Sequence, residues 1–153
     1  MGILIIEDDD DQRNMMERLI INDGYRDVVT AESAEKALSL LASGLEMRFD
    51  LIFLDVNLPN MDGIQSCERI RQDARYRTVP IVMTTACADM GTVDKALKSG
   101  ATDYLTKPLK AVDLLACIRA KLRLKAELDM RDLLQSEFAS GFQQLGTLAG
   151  GRN

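Results

Sequence analysis

The 153-residue chain contains no histidine and no tryptophan. Without histidine, the polypeptide lacks the usual general base, the usual metal ligand and any site for a phosphohistidine. Its cysteines, Cys67, Cys87 and Cys117, are odd in number and widely spaced, without a C-x-x-C pair. This pattern indicates reduced thiols in a reducing compartment and argues against a disulfide framework or a zinc site.

Long apolar runs and an excess of positive charge are also absent. No apolar run approaches the length that spans a membrane, and the N-terminus lacks a basic segment followed by an apolar one. We therefore expect a cytoplasmic protein that does not bind membranes. The net charge of −5 argues against nucleic-acid binding as the main role of the chain. The length fits one globular domain.

The most informative segment is Phe49–Asp55, in which a carboxylate ends a run of large apolar residues. A run without polar alternation is typical of a strand buried on both faces of a parallel sheet. The residues that follow are turn formers, namely Asn57, Pro59, Asn60, Asp62 and Gly63. Asp55 is therefore predicted at the carboxyl end of a central strand, where open α/β sheets bind ligands. By itself, however, this residue is equally compatible with a cap for the next turn.

Four further apolar segments predict strands, and helical apolar spacing lies between them. The strands are expected at Ile3–Ile6, Arg26–Thr30, Ile81–Thr85 and Asp103–Thr106. Helices are expected over Gln12–Asn22, around Ala34–Leu41 and Ile64–Ile70, through Val93–Leu97 and from Ala111 onwards. Five strands alternating with five helices predict an α/β fold with a parallel sheet.

Polar or charged residues stand at the ends of these strands. They are Glu7, Asp8, Asp55, Thr85 and Lys107. Right-handed crossovers bring the carboxyl ends of parallel strands to one edge, so we expect these side chains to meet there. The acids Asp9–Asp11 are explained as caps of the first helix. That explanation does not cover Glu7 and Asp8, which precede the helix.

The predicted edge has the groups that phosphoryl transfer requires. Three crowded carboxylates need an opposing charge, and Mg²⁺ is a hard cation that binds a few carboxylates and shares itself with phosphate. Lys107 supplies an ammonium for a second anionic oxygen, and the Thr85 hydroxyl supplies a hydrogen bond to a third. With Asp55 as the nucleophile, this arrangement suits chemistry that depends on positioning and charge neutralisation.

Short motifs follow one another along the chain. They are Ile3–Asp8 with Arg13, Asp55 with Leu58–Gly63, Thr85-Ala86, Gly100–Tyr104 and Lys107-Pro108. In this order and spacing, from about Ile3 to about Leu124, they resemble a response-regulator receiver domain of two-component signalling. Each motif alone is weak, but the ordered set is specific.

The resemblance implies a doubly wound five-stranded parallel sheet with strand order 2-1-3-4-5. It implies a receiver domain over residues 1–124, followed by a C-terminal helical extension over residues 125–153 that frays after about residue 140. It also implies a cis peptide bond between Lys107 and Pro108, which would point the lysine into the site.

The resemblance also implies roles for individual residues. Asp55 would accept a phosphoryl group from a phosphohistidine on a sensor histidine kinase or phosphotransfer protein. Mg²⁺ would be bound by Glu7, Asp8, Asp55 and the backbone carbonyl of Asn57, and Lys107 would hold the phosphoryl group. Thr85 and Tyr104 would form the switch pair that alters the surface of the fourth helix, fifth strand and fifth helix. Such a chain is not an enzyme beyond self-phosphorylation and slow self-dephosphorylation.

Two positions bear on the details of the site. The first acid is Glu7 rather than aspartate. We expect its longer side chain to bind the metal through a water or at a different angle. Cys87 stands two residues after Thr85, where the family varies and tunes the loss of the phosphoryl group. A small thiol there predicts a fairly long-lived acyl phosphate.

Three other classes of protein fit the sequence less well. A phosphatase resembling the haloacid dehalogenase family would have an aspartate where this chain has Asn57, together with a cap domain. A nucleotide- or flavin-binding fold needs a glycine-rich first loop, whereas Glu7–Asp11 is acidic. A receiver-like scaffold that never takes phosphate is disfavoured by the complete set of edge residues.

The extension carries apolar residues at every third or fourth position. They are Leu115, Ile118, Leu122, Ala126, Met130, Leu134, Phe138 and Phe142, and they predict one long helix. The far part of this stripe needs a cover, so we expect a homodimer through the last helix or docking on a neighbouring protein. Lys125 and Asp129 interrupt the simplest heptad.

Overall fold

The structure, a computed structural model, describes residues 1–44 and 47–150, with side chains for these up to residue 143. Its elements are β1 (Gly2–Ile6), α1 (Asp10–Asn22), β2 (Asp27–Ala31), α2 (Ala34–Ala42), β3 (Phe49–Asp55), α3 (Gly63–Gln72), a short 3-10 helix (Ala74–Tyr76), β4 (Ile81–Thr85), α4 (Met90–Lys98), β5 (Asp103–Thr106) and α5 (Ala111–Gly150). The strands form one parallel sheet in the order β2-β1-β3-β4-β5. The predicted doubly wound α/β fold and its strand order are confirmed.

The central strands are apolar throughout because both faces of the sheet are covered. Side chains alternate between the faces of a strand, so Ile52 and Leu54 of β3 join one core while Leu51 and Phe53 join the other. The first core is completed by apolar residues of α2, α3 and α4. The second is completed by residues of α1 and α5. This explains the lack of polar alternation in Phe49–Asp55.

The helices that follow the functional edge begin at short polar side chains. Asp9 caps α1 by accepting a hydrogen bond from the Gln12 N–H at 2.9 Å, as predicted for the acids after Asp8. Asp62 caps α3 in a reciprocal capping box with Gln65. Asp89 caps α4 through the Thr92 N–H. These caps fix where each loop ends and hence the shape of the edge.

Helix α5 is packed on the sheet in its first part and exposed in its second. Its first half packs on the sheet through Leu114, Ile118 and Leu122, and Lys125 is the last buried residue of the helix up to residue 143. The helix then continues through Gly141 to Gly150 without a break. The boundary at residue 124 and the fraying after about residue 140 stay predictions.

The long helix is not a membrane span. Within the part of the chain that the structure describes, no helix combines the length and apolarity needed to cross a bilayer.

Candidate metal and phosphoryl-transfer site

The carboxylates predicted to meet at the sheet edge do so because β1 and β3 are neighbours. Ile6 pairs with Leu54, so Glu7 and Asp55, the next residue of each strand, lie side by side. Both side chains are buried, while Asp8 is exposed. One oxygen of each of Glu7, Asp8 and Asp55 lies within 4.8 Å of the others. Such a group of oxygen ligands suits a hard divalent cation.

Lys107 follows β5, the strand at one end of the sheet, and its side chain reaches the carboxylates. Its Nζ lies 2.6 Å from Glu7 Oε1 and 2.9 Å from Asp55 Oδ2. The peptide bond to Pro108 is cis, as the resemblance implied, and the Lys107 N–H donates to the Thr85 carbonyl at 2.7 Å. Burial alone would lower the pKa of Lys107, but the hydrogen bonds to Glu7 and Asp55 outweigh it and raise that pKa. The lysine is therefore held as a cation between two acids.

Glu7 is the most perturbed group of the site. Burial and the neighbouring Asp55 raise its pKa to about 8, even though Lys107 acts in the opposite direction. Its Oε2 atom is buried and has no hydrogen-bond partner among the residues that the structure describes. A buried acceptor without a donor is costly unless a cation or proton satisfies it. This oxygen fits a role as a metal ligand.

Arg13 supports the acidic pair from α1. Its Nη1 donates to the Glu7 carbonyl at 3.0 Å and lies 3.4 Å from the Asp8 carbonyl, while Nη2 pairs with Asp10. The guanidinium therefore holds the backbone from which the two acids project. Arg13 belongs to the first motif of the family resemblance, but the sequence did not predict its role. Its place in the first turn of the helix that follows the acids was the available signal.

The loop after β3 positions Asp55 from its other side. The Asn57 N–H donates to Asp55 Oδ1 at 3.0 Å. The Gly63 N–H donates to the Val56 carbonyl at 2.9 Å, which ties the start of α3 to the end of the strand. The proposed use of the Asn57 carbonyl as a metal ligand stays a prediction.

Gly63 is required by this close approach. A Cβ built on Gly63 would lie 2.2 Å from the Asp55 carbonyl oxygen and 2.8 Å from Val56 Cα. We expect Gly63→Ala to lower the free energy of unfolding by about 2 kcal/mol, because buried backbone has to move. Urea unfolding followed by circular dichroism measures this change.

The matched control is Gly91→Ala in α4. There the nearest neighbour of an added Cβ is Asp89 Oδ1 at 3.4 Å, an ordinary contact. Alanine favours a helix over glycine, so this variant should keep or gain stability. If Gly63→Ala were as stable as Gly91→Ala, the close packing of α3 on the end of β3 would be wrong.

Thr85 lies at the end of β4, the strand next to β3, and its hydroxyl is hydrogen-bonded to the loop that follows. Thr85 Oγ1 donates to the Cys87 carbonyl at 2.8 Å and accepts from the Cys87 N–H at 3.1 Å. Cys87 is exposed, and its Sγ lies 3.2 Å from Asp89 Oδ2. The loop between β4 and α4 therefore fixes the position of the Thr85 hydroxyl through these two hydrogen bonds to the Cys87 backbone.

Tyr104 lies on β5, beside β4, with Met83 as its partner in the sheet. It is 37% exposed. The structure thus brings Glu7, Asp8, Asp55 and Lys107 together. The side-chain hydrogen bonds of Thr85 described above go instead to Cys87. The role of Thr85 and Tyr104 as a switch pair stays a prediction.

Comparisons with known proteins agree with this geometry. The family model for the response regulator receiver domain matches residues 3–119. Response regulator PleD of Caulobacter vibrioides is 36% identical over 148 residues, covering 97% of this chain and 31% of PleD. DNA-binding response regulator MtrA of Mycolicibacterium smegmatis is 38% identical over 121 residues, covering 79% of this chain and 50% of MtrA.

A solved structure is similar as well. The chemotaxis response regulator CheY4 of Vibrio cholerae superposes with a TM-score of 0.72 at 29% identity, covering 78% of this chain and 97% of CheY4. The chain spans well under two thirds of PleD and of MtrA, so the activities of those whole proteins are not assigned to it. On the family match and the shared fold, the chain belongs to the response regulator receiver domains of two-component signalling systems.

Proposed function

We propose that this chain is a Mg²⁺-dependent phospho-acceptor whose Asp55 takes a phosphoryl group from a phosphohistidine on a sensor histidine kinase or phosphotransfer protein. The observation that carries the proposal is the arrangement around Asp55. Its carboxylate lies between the Lys107 ammonium, at 2.9 Å, and the acids Glu7 and Asp8. Receiver domains as a family accept phosphoryl groups in this way, and the residues of this chain fit that chemistry.

Glu7, Asp8 and Asp55 would hold the magnesium ion, together with the carbonyl of Asn57. The unpartnered Oε2 of Glu7 supports this set, because it is a buried oxygen that a cation would satisfy. When bound, Mg²⁺ neutralises charge on the carboxylates and on the phosphoryl oxygens.

The transfer itself is a displacement at phosphorus. One carboxylate oxygen of Asp55 forms the new O–P bond while the P–N bond to the donor imidazole breaks, and the electron pair returns to the imidazole nitrogen. The Asn57 N–H, bonded to Asp55 Oδ1, fixes the orientation of the carboxylate. Lys107 supplies a cation to the transferred group. No turnover of an external substrate follows, so we regard the chain as a signalling module and not an enzyme.

The output would depend on Thr85 and Tyr104. In the structure the Thr85 hydroxyl is bonded to the backbone of Cys87, so it would exchange these two bonds for a bond to the phosphoryl group. Movement of the hydroxyl would leave space for the ring of Tyr104, now partly exposed. The surface of α4, β5 and α5 would change with it, as a population shift driven by the phosphoryl group.

The partners and location follow from this role. A phosphohistidine donor is expected in the cytoplasm, and residues 1–124 would form the receiver with residues 125–153 as its extension. The expectation that the chain does not bind nucleic acid gains no support from the comparisons, because MtrA is a DNA-binding response regulator. For this chain it stays a prediction.

The test is intact-mass analysis of the purified chain after incubation with a small phosphodonor such as acetyl phosphate. With Mg²⁺, we expect the mass of one added phosphoryl group. In EDTA, we expect the adduct to disappear. An adduct that forms equally well in EDTA would contradict the metal-dependent site, and no adduct in either buffer would support the scaffold alternative.

The lifetime of the adduct tests the role of Cys87. Its thiol is small and exposed, and lies close to Asp89, so it should neither block nor activate an attacking water strongly. We expect the acyl phosphate to survive for well over seconds, and Cys87→Glu or Cys87→Lys to change its rate of loss several-fold. Phosphate release measured on all three proteins decides this, and rapid loss that neither substitution alters would remove Cys87 from the mechanism.

A further inference from the structure

The carboxylate of Asp8 is anchored differently from the other two carboxylates of the proposed magnesium site. Asp55 is held by the Asn57 N–H and by Lys107. Glu7 is held by Lys107 as well. The Asp8 carboxylate is exposed, and it forms no hydrogen bond or ion pair with the residues that the structure describes. Its direction therefore depends on the backbone from which it projects.

That backbone is a short connection between β1 and α1. Glu7–Asp9 belong to neither element. The Glu7 N–H donates to the Ala31 carbonyl of β2 at 3.0 Å, and the Asp9 side chain caps α1. Both ends of the connection are therefore fixed by neighbouring elements, and Asp8 lies between them.

Arg13 fixes the two peptide groups on either side of Asp8. Its Nη1 donates at 3.0 Å to the Glu7 carbonyl, which belongs to the peptide group before Asp8. The same nitrogen lies 3.4 Å from the Asp8 carbonyl, which belongs to the peptide group after it. Because each peptide group is planar, holding both carbonyls limits rotation about the two backbone bonds of the Asp8 Cα. The direction of the Asp8 side chain is limited with it.

The Arg13 guanidinium is itself held in place. Nη2 pairs with Asp10, and the Arg13 side chain is only 14% exposed. A guanidinium presents several N–H donors in one rigid plane, so it can serve the two carbonyls and a carboxylate at the same time. The ammonium of a lysine is a single point on a flexible stem and cannot span these three acceptors in a fixed geometry.

We infer that Arg13 is a positioning residue for Mg²⁺, which orients the Asp8 carboxylate by fixing the peptide groups on both sides of it. The inference rests on the proposed function, because it concerns the same magnesium site. The positive charge of Arg13 by itself opposes Mg²⁺ binding, so charge and positioning act in opposite directions. Asp10 offsets that charge, whereas residues that orient metal ligands change metal affinity 10- to 100-fold. Positioning therefore outweighs the charge.

The test is titration of the full 153-residue chain with Mg²⁺, followed by amide chemical shifts. Arg13→Gln should raise the Mg²⁺ dissociation constant at least about tenfold. Arg13→Lys should raise it at least about threefold, because it restores the charge but not the rigid plane of donors. Arg18→Gln is the matched control, since it removes the same charge from an exposed position of α1, and it should bind Mg²⁺ as wild type does. Tighter binding by Arg13→Gln, with Arg13→Lys unchanged, would mean that Arg13 acts through its charge and would overturn the inference.

The same titration separates positioning from a purely structural role. Thermal unfolding in EDTA reports the effect of each variant on stability without the metal. An Arg13→Gln protein that is less stable but binds Mg²⁺ as tightly as wild type would overturn the inference while leaving the magnesium site intact. A wild-type chain that binds no Mg²⁺ would overturn the proposed site and this inference together.

A double-mutant cycle tests whether Arg13 acts through Asp8. In an Asp8→Asn background the carboxylate that Arg13 orients is already gone. Adding Arg13→Gln there should change the Mg²⁺ dissociation constant by less than about threefold, because the effects of coupled residues do not add. A tenfold loss in both backgrounds would mean that Arg13 acts independently of Asp8 and would contradict the inference.

Discussion

Asp55→Asn is expected to abolish phosphoryl incorporation completely. The amide has no anionic oxygen to attack phosphorus, and the cluster with Glu7 and Asp8 loses one of its three charged ligands. The fold should persist, because asparagine has the same shape and its Oδ1 can still accept the Asn57 N–H. Lys107 keeps its bond to Glu7. We therefore expect a change in stability of less than about 1 kcal/mol beside a total loss of the adduct.

The control for this variant is Asp50→Asn, at the opposite end of the same strand. Asp50 is half-buried and accepts the Gly2 N–H at 3.1 Å. It lies at the amino edge of the sheet, away from the site, so its variant should take up one phosphoryl group as wild type does. Both are measured by intact mass with acetyl phosphate and Mg²⁺. An adduct of equal amount on Asp55→Asn would show that another residue is the acceptor.

Glu7→Gln is expected to weaken Mg²⁺ binding at least about 100-fold while keeping the fold. Without metal, the pKa of Glu7 is raised to about 8, so at pH 7 the native side chain is mostly the neutral acid. Glutamine imitates that neutral form and can still accept a hydrogen bond from Lys107. It cannot supply the anionic oxygen that Mg²⁺ prefers. Calorimetric titration with Mg²⁺ and thermal unfolding in EDTA measure the two effects separately.

The raised pKa of Glu7 also predicts how the free energy of unfolding changes with pH. Between pH 4.5, the ordinary value, and about 8, native Glu7 keeps a proton that the unfolded chain has released. In EDTA the wild-type free energy of unfolding should therefore fall across this range as pH rises, by on the order of 5 kcal/mol. This part of the fall should be missing in Glu7→Gln. Parallel pH profiles of the two proteins would mean that Glu7 is ionised in the metal-free protein.

Part of the candidate site could be predicted from the sequence alone. The edge could be predicted because buried parallel strands have an unmistakable apolar pattern, and because each strand must end at the same side of the sheet. From the sequence alone, these two rules predict that Glu7, Asp8, Asp55 and Lys107 lie together. Residues that act locally, such as Asp9 at the start of α1, were also predictable, since capping depends on neighbours along the chain.

Other features depend on contacts between distant segments and could not be read from the sequence. The role of Arg13 could not be predicted because the partners that join it to Glu7 and Asp8 are backbone carbonyls, which every residue has. The Thr85 hydroxyl was expected in the site, but the path of its loop gives it partners in Cys87. Gly63 was predicted as a turn residue, whereas its need for a bare Cα comes from the strand end lying against it.

The sequence by itself determined the fold class and the residues gathered at the functional edge, because these follow from local periodicity and chain connectivity. The strand order was implied by the family resemblance alone. Tertiary structure decided the charge state of Glu7, since its pKa depends on burial and on carboxylate and ammonium groups supplied by β3 and by the segment after β5. Tertiary structure also decided which side of α5 the sheet covers. Packing of Leu114 and Ile118 against the strands leaves Leu134, later in the same helix, largely exposed.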